Sequence, residues 1–233
     1  SAERTSMSNK GLYQEFRTIR WKSAGGIGML MLDQPPSNVM TLEFFHEFSL
    51  WVRAAAKEPG LTAIVIHGNG RHFSSGADLD ELLTGIDGQA MIENYASFSM
   101  VEKLGVPVIC AIRGVCLGSA LELALFCDYR ICGEEAVLGL PESTFNLMPG
   151  VGGIHRFASI AGKSEAIGMI LRGSTFSATD ALKMGLVDVL VPGKEVIPAA
   201  IRLAGERPAK MEGGLKKAYL DKIMKTSHGS GKK

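Results

Sequence analysis

Short apolar segments alternate with helical patterns through the middle of the chain, and this alternation restricts the fold more than any other feature. Residues 63–67, 106–112 and 129–132 are short, apolar and rich in β-branched side chains, as is typical of buried strands. Residues 41–57 and 118–127 have the apolar spacing of helices. Strands connected through helices run parallel with right-handed crossovers. The sequence therefore predicts an α/β fold rather than a helical bundle or a β-sandwich.

Further elements are predicted on both sides of this region. Two early apolar runs, 13–21 and 28–32, predict a pair of strands joined by a turn at 23–26. After Pro149 the chain becomes mainly helical, with predicted helices at 153–161, 164–171, 178–184 and 211–225 and a brief strand at 187–191. We assign residues 10–193 to one core and 194–226 to a C-terminal helical segment, and we expect 1–9 and 227–233 to be disordered.

Charge and composition exclude several classes of function. The 233 residues carry 25 basic and 24 acidic side chains, which is too even for a protein whose main partner is nucleic acid or an anionic membrane. No apolar run reaches the roughly 18–20 residues that span a bilayer, and the polar start lacks a secretion signal. We therefore expect a cytoplasmic location. The four cysteines have irregular spacing without C-x-x-C pairs, which predicts buried reduced thiols and no metal site.

One charged residue stands in an otherwise apolar helix. In the segment 118–127 every side chain except Glu122 is apolar or small, so the helix is predicted to be buried. A buried carboxylate is costly unless it is paired, protonated or functional. Pairing with Arg130 or with another buried cation is the structural alternative to a catalytic role, and burial alone does not decide between them.

Two glycine-containing turns and a second acid are further candidates. Segments 72–78 and 113–119 each follow a strand and lead into a helix, which leaves free backbone amides that can hold an oxyanion or a phosphate. The P-loop pattern is absent, and an ordinary strand-to-helix loop is the alternative. Glu142 lies in an apolar L-G-L-P-E segment, although a glutamate after a proline is commonly an exposed residue.

Taken together, these segments form a specific series of motifs. The chain reads F-S-S-G-A-D at 73–78, G-V-C-L-G-S-A-L-E-L-A at 114–124, L-P-E at 140–142 and M-P-G-V-G-G-I-H-R at 148–156. In order and spacing these motifs resemble the enoyl-CoA hydratase (crotonase) superfamily, from about residue 12 to residue 192. The resemblance implies an α/β crotonase (ClpP-like) spiral of β-β-α turns in two roughly perpendicular sheets. It also implies C-terminal helices and a homotrimer or a dimer of trimers.

The resemblance also implies a reaction and its catalytic residues. Enzymes of this kind reversibly hydrate 2-enoyl-CoA thioesters to 3-hydroxyacyl-CoA. Glu122 corresponds to the residue that orients and deprotonates the water attacking C3, and Glu142 to the acid that protonates C2. The amides of Ala77 and Ser119 correspond to the oxyanion hole. Coenzyme A is part of the substrate, so no separate cofactor and no metal are expected.

The remaining site residues implied by the resemblance bind coenzyme A or support the glutamates. Ala77, Asp78, Leu79 and Asp80 match the stretch that contacts adenine, and Arg71 matches a position near the phosphates. Gly150 matches an amide that helps to position the glutamate–water site.

The chain departs from the family pattern at three places. Ser119 and Ala120 replace glycines of a G-G-G run, and Asp80 stands where some relatives have lysine. The C-terminal helical segment is also shorter than in most relatives, which bears on the oligomer and on the cover of the site.

Three alternative functions remain at this stage. An enoyl-CoA isomerase would move a double bond with Glu142 alone, although retention of Glu122 argues against it. The same scaffold also serves other acyl-CoA chemistries, among them decarboxylation. A non-catalytic relative that binds RNA would need a basic surface stripe, whereas the basic residues of this chain are scattered.

Overall fold

The main sheet has six strands, of which five run parallel. The structure, a computed structural model, describes residues 13, 15–85, 93, 96–211 and 213–226, so the predictions for 1–9 and 227–233 lie outside the described residues. The strand order is β1-β2-β3-β4-β6-β9, and only the β1–β2 pair is antiparallel. The strands are β1 Ile19–Ala24, β2 Ile27–Leu32, β3 Ala63–Gly68, β4 Val108–Ile112, β6 Tyr129–Gly133 and β9 Val189–Val191.

A second sheet of three short strands lies beside the first. It has the order β5-β7-β8, with β5–β7 parallel and β7–β8 antiparallel. Its strands are β5 Val115–Leu117, β7 Val137–Gly139 and β8 Thr175–Ser177. An isolated bridge between Ser74 and Cys116 brings the turn after β3 next to β5. Two such sheets and helices agree with the predicted α/β crotonase fold.

Helices cover the sheets and occupy most of the chain beyond Pro149. Within the described residues, no helix is long and apolar enough to cross a membrane. A short 3₁₀ turn, Glu142–Phe145, follows β7. The helices are α1 Leu42–Ala55, α2 Leu79–Gly85, α3 Ser119–Phe126, α4 Gly153–Ala161, α5 Lys163–Arg172, α6 Ala178–Lys183, α7 Val196–Gly205 and α8 Gly213–Thr226.

The central strands of the main sheet, β3, β4 and β6, are mostly apolar because both faces are covered. Along β3, Ile64 and Ile66 belong to the core that includes α1 and α3, whereas Ala63 and Val65 belong to a second core on the opposite face. Leu203 of α7 is part of that second core. The residues from 194 onward thus share a core with the sheet of the same chain.

The predicted start of the first strand is wrong. Tyr13 and Glu15 are helical, and β1 begins only at Ile19. The backbone just before β1 is held by a side chain instead of a strand partner. The Glu47 carboxylate of α1 accepts the amides of Arg17 at 2.6 Å and Thr18 at 2.9 Å.

Two other strands begin later than predicted for similar local reasons. Pro107 has no amide hydrogen to donate, and β4 begins at the next residue, Val108. Before β9, the amides of Leu186 and Val187 both donate to the carbonyl of Ala181, so they complete the end of α6. The remaining strand and helix predictions agree with the structure within a few residues. All four cysteines are buried and free, as predicted.

Glu47 provides a test of how the N-terminal part is held. Its side chain is only 6% exposed and also accepts the Thr18 hydroxyl at 2.5 Å. Glu47→Ala leaves two amides near the core without an acceptor, so we expect the free energy of unfolding to fall by about 2–4 kcal/mol. Urea denaturation measures this as a lower midpoint.

The matched control for this variant is Glu43→Ala on the same helix. The Glu43 side chain is 50% exposed and lies 3.9 Å from Arg17. We expect its removal to change the free energy of unfolding by at most about 0.5 kcal/mol. Equal midpoints for the two variants would contradict the anchoring role of Glu47.

Candidate active site

Glu122 is fully buried and is held by two backbone amides, one at the start of another helix and one just before it. One carboxyl oxygen, Oε1, accepts the amides of Val151 at 3.0 Å and Gly153 at 2.7 Å. The other, Oε2, is buried and has no hydrogen-bond partner among the described residues. Glu122 therefore has one oxygen fixed by the protein and one oxygen free for another molecule.

Gly153 has a free amide because the first turn of a helix has amides without helical acceptors, and Val151 lies in the segment just before α4. Gly153 is the first residue of α4, and the preceding Gly152 has the left-handed φ of 105°. A Cβ added at Gly153 would lie 2.7 Å from both Cγ and Oε1 of Glu122. The second glycine of the G-G pair is thus required for close approach of the helix to the carboxylate.

Glu142 approaches the same region from the other sheet. It begins the 3₁₀ turn after β7, and its Oε1 lies 3.0 Å from the point where a Cβ on Gly118 would be. Gly118, at φ 53°, immediately precedes α3, the helix that carries Glu122. The Oε2 atom of Glu142 is buried and has no hydrogen-bond partner among the described residues. Both glutamates thus have one free oxygen near the start of α3.

Burial raises the pKa values of both carboxyls, and repulsion by Glu142 adds to the rise at Glu122. The pKa of Glu122 rises to about 8, first because of desolvation and then because of the negative charge of Glu142; the amides of Gly153 and Val151 oppose the rise. Desolvation raises the pKa of Glu142 to about 6. Between these values the pair holds one proton, and that proton resides on Glu122.

The turn after β3 and the start of α3 lie side by side. The Ser74 amide donates to Val115 at 3.1 Å, and the Leu117 amide donates back to Ser74 at 3.2 Å. A Cβ on Gly76, which has φ 93°, would lie 2.5 Å from the Leu117 carbonyl oxygen and 3.5 Å from the Ser119 nitrogen. Glycine at 76 therefore permits the contact between these two segments.

Two amides at this contact have no backbone acceptor among the described residues. Ala77 forms a parallel bridge with Met40. The two hydrogen bonds of this bridge run from the Met40 amide to the Gly76 carbonyl and from the Asp78 amide to the Met40 carbonyl. The amide of Ala77 therefore takes no part in the bridge. Ser119 is the first residue of α3, where a helix offers its amides no acceptor. Two free donors near a raised-pKa carboxyl pair are suited to an anion that forms during a reaction.

Comparison with known proteins identifies this arrangement. A family model described as enoyl-CoA hydratase/isomerase matches residues 22–227. The chain belongs to the enoyl-CoA hydratase/isomerase family. This confirms the resemblance inferred from the motifs.

Individual relatives agree with this family. The chain is 35% identical over 185 residues to a probable enoyl-CoA hydratase of Bacillus subtilis, covering 77% of this chain and 72% of that protein. It is 39% identical over 196 residues to the fatty acid oxidation complex subunit alpha of Shewanella loihica, covering 79% of this chain but only 28% of that protein. The crystal structure of an enoyl-CoA hydratase from Bacillus anthracis superposes with a TM-score of 0.76 at 29% identity, covering 91% and 90% of the two chains.

The other predicted site residues surround the contact between the two segments. Asp78 accepts the amides of Asp80 at 2.9 Å and Glu81 at 3.1 Å, so it caps α2. Ala77, Asp78 and Leu79 are half-buried, whereas Arg71 and Asp80 are exposed. The predicted adenine-contacting stretch thus runs from the half-buried Ala77 to the exposed Asp80 at the start of α2.

The amides that hold Glu122 are the residues that the sequence reasoning missed. The prediction named Gly150, which is exposed, whereas the donors are its neighbours Val151 and Gly153. A glycine-rich segment before a predicted helix indicates free amides, but their target requires the tertiary structure. Ser74 was also missed, and its hydroxyl accepts the amide of Gly76 at 3.0 Å.

The structural alternative for Glu122 is wrong, because Arg130 is engaged elsewhere. Its guanidinium donates to the Cys127 carbonyl at 2.6 Å and lies 3.5 Å from Asp188. Asp188 also binds Lys216 of α8 at 2.7 Å. This charged cluster lines a cavity of about 1120 Å³ that includes neither catalytic candidate. Within the described ranges, no group of three or more His, Cys, Asp or Glu side chains could hold a metal ion.

The two pKa values predict a bell-shaped pH dependence of kcat/KM. Below about pH 6 both glutamates are protonated and no base remains, and above about pH 8 both are ionised and no acid remains. We expect half-maximal kcat/KM near these two pH values, measured with an enoyl-CoA ester. A rate that stays constant from pH 5 to about pH 9 would contradict a one-proton pair.

Gly153→Ala tests the contact between α4 and Glu122. The added methyl group would displace the carboxyl, and a displacement of about 1 Å can cost about 100-fold in turnover. We expect a loss of that size in kcat with retained binding of the CoA ester. Gly205→Ala, where a Cβ meets no atom within 4 Å, is the control and should retain full turnover. Similar kinetics for the two variants would show that the close approach is unimportant.

Proposed function

We propose that the chain reversibly hydrates 2-enoyl-CoA thioesters to 3-hydroxyacyl-CoA. The observation that carries this proposal is the pair of glutamates, Glu122 and Glu142, each with one buried oxygen that has no protein partner in the described part of the chain. The addition of water across C2=C3 needs a base at the water and an acid at C2. Two neighbouring carboxyls that share one proton supply both groups.

In hydration, the oxygen of water bonds to C3, its proton passes to one carboxylate, and the other carboxyl protonates C2. The family resemblance assigns the water to Glu122 and the C2 proton to Glu142. With these roles, dehydration begins with the proton on Glu122. The substrate-free site favours this state, because the pKa of Glu122 is higher than that of Glu142. Hydration begins with the proton on Glu142, so binding of substrate and water must shift the shared proton between the two glutamates.

The two free amides are assigned to the thioester oxygen. As the C3–O bond forms, negative charge develops on this oxygen, and the amides of Ala77 and Ser119 stabilise it. Each such donor typically contributes about 3–4 kcal/mol to stabilisation of the transition state. The positive end of the α3 dipole lies behind Ser119 and acts in the same direction.

Coenzyme A would lie along the surface next to the oxyanion hole. The proposed contacts are Ala77 to Asp80 with the adenine, and the exposed Arg71 with the phosphates. Asp80 offers these phosphates a negative charge where some relatives have lysine. Binding of coenzyme A would therefore depend on backbone contacts more than on charge attraction.

Isomerisation is the second candidate, and the pKa order supports it. At neutral pH Glu142, with a pKa of about 6, is ionised and can remove a proton and return it elsewhere on the acyl chain. Glu122 would then take no part. The two candidates differ in whether Glu122 is required.

We also propose that the chain assembles as a homotrimer or a dimer of trimers. The supporting observation is a set of exposed apolar side chains on neighbouring helices, Ile154 of α4 and Ile167 and Leu171 of α5, which are 41–66% exposed. Apolar surface of this kind is typical of contacts between subunits. Light scattering at micromolar concentration should give a mass of three or six chains. A monomer mass would contradict the assembly.

Glu122→Gln and Glu142→Gln test the catalytic pair. Each variant keeps the shape of the side chain but removes its acid or base, so we expect hydration to fall by at least about 100-fold. Binding of the CoA ester, measured by calorimetry, should change little. Glu134→Gln replaces an exposed glutamate and should retain wild-type turnover.

The outcome separates the two candidate reactions. Loss of activity in both variants supports hydration. Loss in Glu142→Gln alone, with near wild-type turnover in Glu122→Gln, would favour the isomerase. Assays with esters of four carbons and longer, including cyclic ones, would define the acyl group.

A further inference from the structure

Ser119 is the one polar side chain near Glu122 on α3. The helix reads S-A-L-E-L-A-L-F, and all residues from 120 to 126 other than Glu122 are buried and apolar. Gly118, one residue before the helix, has no side chain. Residues three apart lie on the same face of a helix, so Ser119 is directed toward the same side as Glu122.

The Glu122 carboxyl leaves room for one more donor. Oε1 already accepts the amides of Val151 and Gly153, whereas Oε2 has no hydrogen bond of ordinary geometry from any described residue. Ser119 lies three residues before Glu122 on the same helix, and its hydroxyl lowers the pKa of the Glu122 carboxyl against the larger effect of burial. Ser119 is itself half-buried, and its amide is assigned to the proposed oxyanion hole.

We propose that the Ser119 hydroxyl is a positioning residue that donates to the Glu122 carboxylate, stabilises its ionised form and orients its free oxygen toward the added water. This inference rests on the proposed function, because it assigns a role in the same reaction. Ser119 would thus act twice, through its amide on the thioester and through its hydroxyl on the general acid/base. A glycine at this position supplies only the first of these contacts.

Other charged groups on the elements around α3 are directed away from Glu122. The exception is Glu142, the titratable group that repels it. On α4, His155 is exposed, and Arg156 lies over the Phe126 ring at the far end of α3 and pairs with Glu102. Arg130 of β6 pairs with Asp188. Burial, Glu142 and the nearby donors therefore determine the proton affinity of Glu122.

The expected direction of the pH effect follows from this arrangement. A donor to a carboxylate favours the ionised form, so removal of the hydroxyl raises the pKa of Glu122. Glu122 holds the shared proton, so release of this proton sets the alkaline limb of the pH profile. The lower limb reports protonation of Glu142, which the Ser119 hydroxyl does not affect.

The test compares the pH dependence of kcat/KM in Ser119→Ala and in the wild type. The variant keeps the amide and loses the hydroxyl, and we expect the alkaline limb to move up by about one pH unit while the acid limb stays in place. Ser119→Thr restores a hydroxyl and should return the limb toward the wild-type position. Ser49→Ala is the control. It removes a serine hydroxyl on α1 that lies away from the site and accepts from Arg53 at 3.4 Å, so it should move neither limb.

A second measurement separates this inference from the proposed reaction. Infrared or ¹³C NMR titration of the Glu122 carboxyl in the substrate-free protein should show the same upward shift in Ser119→Ala. If the wild type hydrates no enoyl-CoA ester, the proposed function fails, whereas the carboxyl titration still decides the contact. An unchanged or lower pKa of Glu122 in Ser119→Ala would overturn the role of the hydroxyl.

Discussion

The site depends on one interaction, the acceptance of the Val151 and Gly153 amides by a single oxygen of Glu122. This contact joins α3 to the start of α4 in the interior. Desolvation and Glu142 oppose ionisation of Glu122, and the two amides favour it. The balance leaves a carboxyl that gains or loses a proton near neutral pH. A fully satisfied ion pair at this position would hold its charge permanently and would be useless for proton transfer.

Glycines allow the three segments of the site to approach one another. A Cβ at Gly76 would overlap the Leu117 carbonyl, one at Gly118 would crowd Glu142, and one at Gly153 would overlap Glu122. Each of these positions therefore has a steric reason for its residue. The geometry of the site is fixed by backbone approach, and the side chains at Ser119 and Asp80 can vary around it.

The sequence was informative where a residue contradicted its surroundings. Glu122 could be recognised because a lone charge in an apolar helix needs an explanation, and the α/β alternation followed from short apolar strands. Glu142 required the combined motifs, because a glutamate after a proline is unremarkable alone. The donors to Glu122 and to Glu47, in contrast, are backbone amides distant in sequence. Such amides have no side-chain signal, so neither the N-terminal anchor nor the support of the site could be predicted.

The position of α7 on the second face of the main sheet has a consequence during synthesis. The described segments that hydrogen-bond to Glu122 precede α7 in the chain, so they leave the ribosome while Ala63, Val65 and Ile131 on that face are still uncovered. A nascent chain at this stage exposes an apolar sheet surface, which favours aggregation or capture by chaperones. Packing of α7 removes this apolar surface from the newly made protein, although α7 carries none of the residues assigned to the proposed chemistry.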